Sequence, residues 1–122
     1  MKYYFLGIGG IGMSSLAKYL FDLGYQVMGY DKTSSYITEN LVASGIQILF
    51  DDNIELIPSD FNKKNTQVVY TPAIPKDNPQ YDYFARQGYS IKKRAVLLGE
   101  ITKDSTVFAI AGTHGKTTTA SF

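Results

Sequence analysis

The chain of 122 residues has no cysteine, so neither a disulfide framework nor a thiolate metal site can be built from it. It has almost no charge imbalance. Twelve basic and 11 acidic residues leave a formal net charge of +1, without the basic footprint of a nucleic-acid-binding surface. The small lysine groups, Lys63-Lys64 and Lys92-Lys93-Arg94, read as solvated edges. No apolar run approaches the ~18 residues of a membrane span. The Met1-Lys2 start leads straight into a strand-like segment, with no small-residue cleavage site behind it. These absences predict a soluble, cytoplasmic protein that engages neither nucleic acid nor membrane. What is present, 44% hydrophobic and 19% charged residues, has the balance of a globular domain with its own core.

Short apolar runs alternate with helix-like stretches. Tyr3 to Gly9 reads as a buried strand that ends in glycines. Met13, Leu16, Ala17, Leu20 and Leu23 follow at helical spacing, with Gly24 placed to stop the helix. Tyr25 to Asp31 is a second strand. A helix then starts from Ser34 or Ser35 as N-cap and stops at Gly45. Ile46 to Phe50 and Thr66 to Ile74 are the third and fourth strands, separated by a polar loop with room for one helical turn. Asp77-Asn78-Pro79 opens a helix, a capping side chain followed by proline at the first helical position, and Gly88 closes it. Tyr89 to Lys93 is a short strand, Arg94 to Asp104 a helix, and Ser105 to Gly112 a final strand. The alternation predicts an α/β, Rossmann-like, doubly wound parallel sheet of about five strands.

Two glycine motifs carry the chemistry. Gly7-Ile8-Gly9-Gly10-Ile11-Gly12 matches G-x-G-x-x-G between a strand and a helix, and Asp31 follows about 19 residues later at the end of the second strand. Gly7 permits the tight turn, Gly9 lets a diphosphate approach the backbone, and Gly12 lets helix and strand pack closely. The free N–H groups at the helix start face the anion. Asp31 suits a ribose diol, so on this motif alone NAD and a UDP-sugar are equally served. The second motif, Gly112-Thr113-His114-Gly115-Lys116-Thr117, follows an apolar strand. Here Lys116 suits the β- and γ-phosphates of ATP, and the Thr117 hydroxyl suits Mg²⁺. The full phosphate-loop pattern would place glycine at position 110, where Ile110 stands, so this is a shortened variant. A dehydrogenase needs the first motif and has no use for the second.

Taken in order, "YFLGIGGIGMSSLA", "VVYTPAIPKDNP", "KKRAVLLGEI" and "AIAGTHGKTTT" resemble the N-terminal part of Mur ligases, most of all the branch that adds L-alanine to UDP-N-acetylmuramate. The resemblance covers essentially the whole chain. It implies a Rossmann-like UDP-sugar-binding domain over residues 1–104, with 105–122 as the start of a central ATP-binding domain, a strand and a truncated phosphate loop. It further implies ATP- and Mg²⁺-dependent amide formation through an acyl phosphate, with UDP-N-acetylmuramate, L-alanine and ATP as substrates. On this likeness Gly7, Ile8, Gly9, Gly10, Ile11 and Gly12 cradle the UDP diphosphate and Asp31 lies near the nucleoside. Thr71, Ala73 and Ile74 line the path of the sugar, and Asn78 and Arg94 complete the set, Arg94 for an anionic or sugar contact. Gly112, Thr113, His114, Gly115, Lys116, Thr117 and Thr118 take ATP, with Lys116 and Thr117 catalytic and Thr117 also on the metal. The residues by themselves are expected to be inactive, having one edge of an ATP site and no amino-acid-binding domain.

The chain departs from that pattern at three places. Relatives often carry histidine where Tyr4 stands, Ser-Ser at Thr71-Pro72, and histidine after the third strand, at Asp51-Asp52. These changes bear on uracil recognition and leave the diphosphate site untouched. His114 fits either the alanine-adding or the tripeptide-recycling branch, and G-I-G-G-I-G-M favours the former. Two readings from other classes stay open on the residues alone, an NAD-binding oxidoreductase or sensor and a nucleotide-binding regulator without chemistry.

Overall fold

The computed structural model describes residues 1–104, with side chains described to Ile101. The expected strand and phosphate loop of 105–122 lie outside the described residues. The elements are β1 (Lys2–Leu6), α1 (Ile11–Asp22), β2 (Gln26–Tyr30), α2 (Tyr36–Ser44), β3 (Gln47–Leu49), a 3-10 turn (Ile54–Leu56), β4 (Thr66–Tyr70), α3 (Pro79–Gln87), β5 (Ser90–Lys93) and α4 (Arg94–Asp104). All five strands are parallel in the order β3-β2-β1-β4-β5.

The sheet is covered on both faces, and the period of two along each strand divides its side chains between them. Phe5, Val27 and Val69 point to one face, where Met13, Leu16, Ala17 and Leu20 of α1, Leu41 of α2 and Leu97 of α4 pack. Tyr4, Leu6, Met28, Tyr30 and Val68 point to the other, against Phe84 of α3 and Phe61 of the loop before β4. Strands buried on both faces cannot alternate polar and apolar residues, which is why Tyr3 to Leu6 of β1 and Val68 to Tyr70 of β4 read as apolar runs. Six of the ten tyrosines, Tyr4, Tyr30, Tyr70, Tyr81, Tyr83 and Tyr89, serve the second face. Edge-to-face pairs join Tyr4 to Phe84 and Phe84 to Tyr89 at centroid distances of 4.9 and 4.8 Å.

The ends of the elements follow local chemistry, with some departures from the sequence reading. β1 stops at Leu6 because Gly7 turns the chain at φ +90°. α1 begins at Ile11, inside the glycine motif. Leu23 falls beyond its end as the C-cap and is 57% exposed, so it does not extend the apolar stripe. Ser35 is the N-cap of α2, in a reciprocal capping box with Thr38. β4 ends at Tyr70, four residues earlier than expected, and Thr71 to Ile74 form a turn closed by Ile74 N–H donating to the Thr71 carbonyl. Pro72 has no N–H with which to continue the ladder. Asn78 caps α3 with Pro79 at its first position, as expected. No helix among the described residues is long and apolar enough to cross a membrane.

Candidate functional site

Leu6, Tyr30 and Tyr70 are register partners at the carboxyl ends of β1, β2 and β4. Gly7, Asp31 and Thr71 therefore leave the sheet side by side. Helices α1 and α2 pack on one face and α3 on the other, so the chain reverses its winding between β1 and β4. A crevice opens at such a switch point in doubly wound sheets.

The glycine loop is held by its own amides. Gly7 and Ile8 N–H groups both donate to the Tyr30 carbonyl, at 2.8 and 3.0 Å, and Gly10 N–H donates to the Gly7 carbonyl at 3.2 Å. Gly9 N–H donates to Asp31 Oδ2 at 2.8 Å, while Asp31 Oδ1 accepts from Thr33 N–H at 2.9 Å. Helix α1 begins from Gly10 without a side-chain cap. The N–H groups of its first turn are thus left to an anion or to water.

Three glycines are explained by what a Cβ would meet. At Gly9 it would lie 2.6 Å from Asp31 Oδ2, so the immediate neighbour of this glycine is the carboxylate. At Gly12 it would lie 3.0 to 3.2 Å from Nε, Cζ and Nη1 of Arg94, so Gly12 makes room for a guanidinium beside the start of α1. Gly29, which the motif does not include, would place a Cβ 2.6 Å from the Phe5 carbonyl oxygen and 2.7 Å from Ile8 Cδ1. It is the glycine that lets β2 accept the loop.

Beyond the loop lies a cleft of about 680 Å³, lined by Gly7, Tyr30, Asp31, Lys32, Phe50, Asp51, Asp52, Ala73, Ile74, Pro75, Asp77, Asn78 and Pro79. Four carboxylates face one ammonium in that lining. The Tyr30 phenol is pushed above its ordinary value, first by burial and then by Asp52, with Asp31 and Asp51 adding and a hydrogen bond with Asn78 opposing. It stays protonated as a donor at neutral pH. The site therefore has two chemically different ends. Backbone amides and Arg94 favour an anion, and the carboxylate-lined end favours hydroxyl and N–H donors and disfavours phosphate. Among the described residues no group of His, Asp or Glu is arranged to hold a metal ion.

Gly7, Asp31, Ala73, Ile74 and Asn78 of the expected residues line this cleft. Thr71 lies beside them, its Oγ1 4.0 Å from where a Gly7 Cβ would stand. Ile8 is fully buried and its side chain belongs to the core, whereas Ile11 is 77% exposed at the start of α1. Asn78 is both a cleft residue and a helix cap, accepting from Gln80 and Tyr81 N–H groups at 3.0 and 3.2 Å. Gly112 to Thr118 lie outside the described residues. Asp51, Asp52 and Asp77 line the cleft too: the first two stand after the third strand, where the chain departs from the family pattern, and Asp77 belongs to the block that opens α3. Tyr30 and Phe50 had no motif to announce them.

A family model described as "Mur ligase family, catalytic domain" matches residues 2–106. The chain belongs to the Mur ligase family. It is 58% identical over 118 residues to a UDP-N-acetylmuramate–L-alanine ligase of Flavobacterium johnsoniae, covering 97% of this chain and 26% of that protein. The ligase of the same name from Porphyromonas gingivalis is 48% identical over 120 residues, covering 98% of this chain and 26% of that protein. The crystal structure of UDP-N-acetylmuramate-alanine ligase from Thermotoga maritima superposes with a TM-score of 0.76 at 30% identity, over 85% of this chain and 23% of that one. The chain thus spans about a quarter of the length of these Mur ligases, and its Rossmann-like sheet shares the fold of the matched part of the solved one.

Proposed function

We propose that this chain is the UDP-N-acetylmuramate-binding part of an ATP-dependent ligase that joins L-alanine to that sugar nucleotide in peptidoglycan synthesis. The observation that carries the reading is the division of the site: uncapped α1 amides beside Arg94 at one end, carboxylates at the other. A UDP-sugar has the matching division, a diphosphate between donor-rich groups. The diphosphate lies over Gly9 to Gly12 with Arg94 against it, and the hydroxyl and N–H groups of the nucleoside meet Asp31 and the Asp51-Asp52 side. The carboxylate-lined end is too acidic to be the phosphate end, which supports a hydroxyl- and N–H-bearing group there. Thr71, Ala73 and Ile74 border the remaining opening, where the sugar passes. The names of the relatives support the same substrate.

The donor set of Gly112 to Thr118, an amide-rich loop with a lysine and hydroxyls, has the chemistry to take ATP and Mg²⁺, with Lys116 on phosphate and Thr117 on the metal. These 122 residues bind without catalysing. The test is an amide NMR titration of the chain with UDP-N-acetylmuramate, UDP and NAD. Saturable shifts of the Gly9, Gly10 and Gly12 amides with both uridine ligands, and none with NAD, are expected. Saturation by NAD without a response to UDP would overturn the reading.

A further inference from the structure

We propose that Gln80 is a positioning residue for the carboxylate-lined end of the cleft. Its buried amide ties the Asp51–Asn53 segment to the sheet and thereby sets the wall that Asp51 and Asp52 present to a bound nucleoside. The inference rests on reading this cleft as a nucleotide site.

Gln80 is the second residue of α3 and is fully buried. Its Oε1 accepts from the Tyr4 hydroxyl at 2.6 Å, and its Nε2 donates to the carbonyls of Asp51 and Asn53 at 3.3 and 3.4 Å. Only one orientation of the amide satisfies all three partners, because a carbonyl oxygen can only accept. Burial raises the Tyr4 phenol far above its ordinary value, more than the bond with Gln80 lowers it, so the hydroxyl remains a donor. The side chain must offer one acceptor and two donors at this length. Glutamate has no donor when ionised, methionine has neither group, and asparagine is one methylene short.

What the amide holds is a segment with little regular structure. Three further hydrogen bonds there are internal: Asp51 Oδ1 accepts from Asn53 N–H at 2.9 Å, Asn53 Oδ1 from Glu55 N–H at 2.9 Å, and the Asn53 carbonyl from Leu56 N–H at 3.1 Å. Those bonds shape the turn and do not locate it. Gln80 locates it, by a line that runs from β1 through Tyr4 to the carbonyls of Asp51 and Asn53. The opposite wall is fixed from the same residue, since Asn78 Oδ1 accepts from the Gln80 backbone N–H at 3.0 Å. One buried residue thus sets the spacing between Asn78 and the Asp51-Asp52 wall, both of which line the cleft. A wall positioned before binding spares the ligand the ordering of that segment.

The test compares the 122-residue chain with Gln80→Met and Tyr4→Phe, each titrated with UDP and with inorganic pyrophosphate and followed by amide NMR. Gln80→Met keeps the bulk and removes every side-chain hydrogen bond, leaving the backbone bond to Asn78. Tyr4→Phe keeps the ring and removes one. Expected are a UDP Kd raised about tenfold by Gln80→Met and about threefold by Tyr4→Phe, the scale of losing one or part of one site hydrogen bond. The pyrophosphate response of the Gly9 and Gly12 amides should be unaltered, while the Asp51 to Asn53 amides shift in the free protein. A residue that is only structural would lower the melting temperature and leave the ratio of UDP to pyrophosphate affinity unchanged, and that result overturns the proposal. Should Gln80→Met fail to fold, the same ratio measured on Tyr4→Phe decides. If the unaltered chain binds pyrophosphate but not UDP, the nucleotide reading itself falls.

Discussion

Gly9 and Gly10 are adjacent glycines of one motif, yet the structure predicts that alanine at the two positions behaves very differently. A Cβ at Gly10 meets nothing closer than 3.7 Å, and Gly10 sits at φ −68°, where any residue is comfortable. Gly10→Ala should change stability by less than about 0.5 kcal/mol. A Cβ at Gly9 falls 2.6 Å from Asp31 Oδ2 and 3.0 Å from Thr38 Cγ2. Thr38 cannot give way. It is fully buried, and its Oγ1 accepts from Ser35 N–H at 2.8 Å and donates to the Ser35 carbonyl at 2.9 Å. Asp31 must move instead, and it loses the hydrogen bond from Gly9 N–H at 2.8 Å. Overpacking of this kind costs about 1–3 kcal/mol. A hydrogen bond to a charged group contributes about 1.5–3 kcal/mol, and the two overlap because the same movement relieves one and breaks the other. We expect about 2 kcal/mol for Gly9→Ala, which for a domain of this size lowers the melting temperature by roughly 8–16 °C. Thermal unfolding followed by circular dichroism measures both variants in one buffer. Equal melting temperatures, or a lower one for Gly10→Ala, would refute the role assigned to the Asp31 contact.

Gly29→Ala should be worse still, because its Cβ meets the Phe5 backbone oxygen at 2.6 Å and backbone cannot swing aside. A loss of about 3 kcal/mol, read as a fall in urea midpoint, is expected from the upper end of overpacking costs. Asn78→Ala removes the cap that accepts from Gln80 and Tyr81 N–H groups and should cost about 1–2 kcal/mol, seen as a lower urea midpoint at unchanged slope. Arg94→Ala should weaken UDP-N-acetylmuramate binding about tenfold by calorimetry, with Arg94→Lys recovering only part, since the proposed function sets the guanidinium fork beside Gly12 against the diphosphate. The Tyr89 phenol is pushed up to about 12, first by burial and then by Tyr83, and burial pushes Tyr4 higher. Neutral phenols are favoured in the folded state, so the unfolded chain releases protons first as pH rises past about 10. Stability should be level below that pH and fall between about 10 and 12, with tyrosinate absorbance appearing together with unfolding.

The amino-acid sequence alone determined the order of strands and helices over residues 1–104, the caps at Asn78 and Gly88, and the place of the glycine loop, while the α2 cap, open between Ser34 and Ser35, was decided by the structure for Ser35. Each of these is a local matter. An N-cap needs one side-chain oxygen near its own helix start, and a glycine turn needs one residue free to adopt positive φ. The pairing of two phosphate-type motifs, which pointed to the Mur ligase family, is equally a fact of residue order. The tertiary structure alone decided what each glycine is for. Whether a Cβ at Gly9, Gly12 or Gly29 meets Asp31, Arg94 or the Phe5 carbonyl depends on segments distant in the chain and brought together by sheet pairing. The same holds for the carboxylate-lined end, where Asp31 follows β2, Asp51 and Asp52 follow β3 and Asp77 precedes α3, and they converge only because the parallel strands all end on the same side of the sheet. Gln80 is the extreme case. In the sequence it is an ordinary polar residue after a capped proline, and only its burial between Tyr4 and the Asp51–Asn53 carbonyls makes it part of the site.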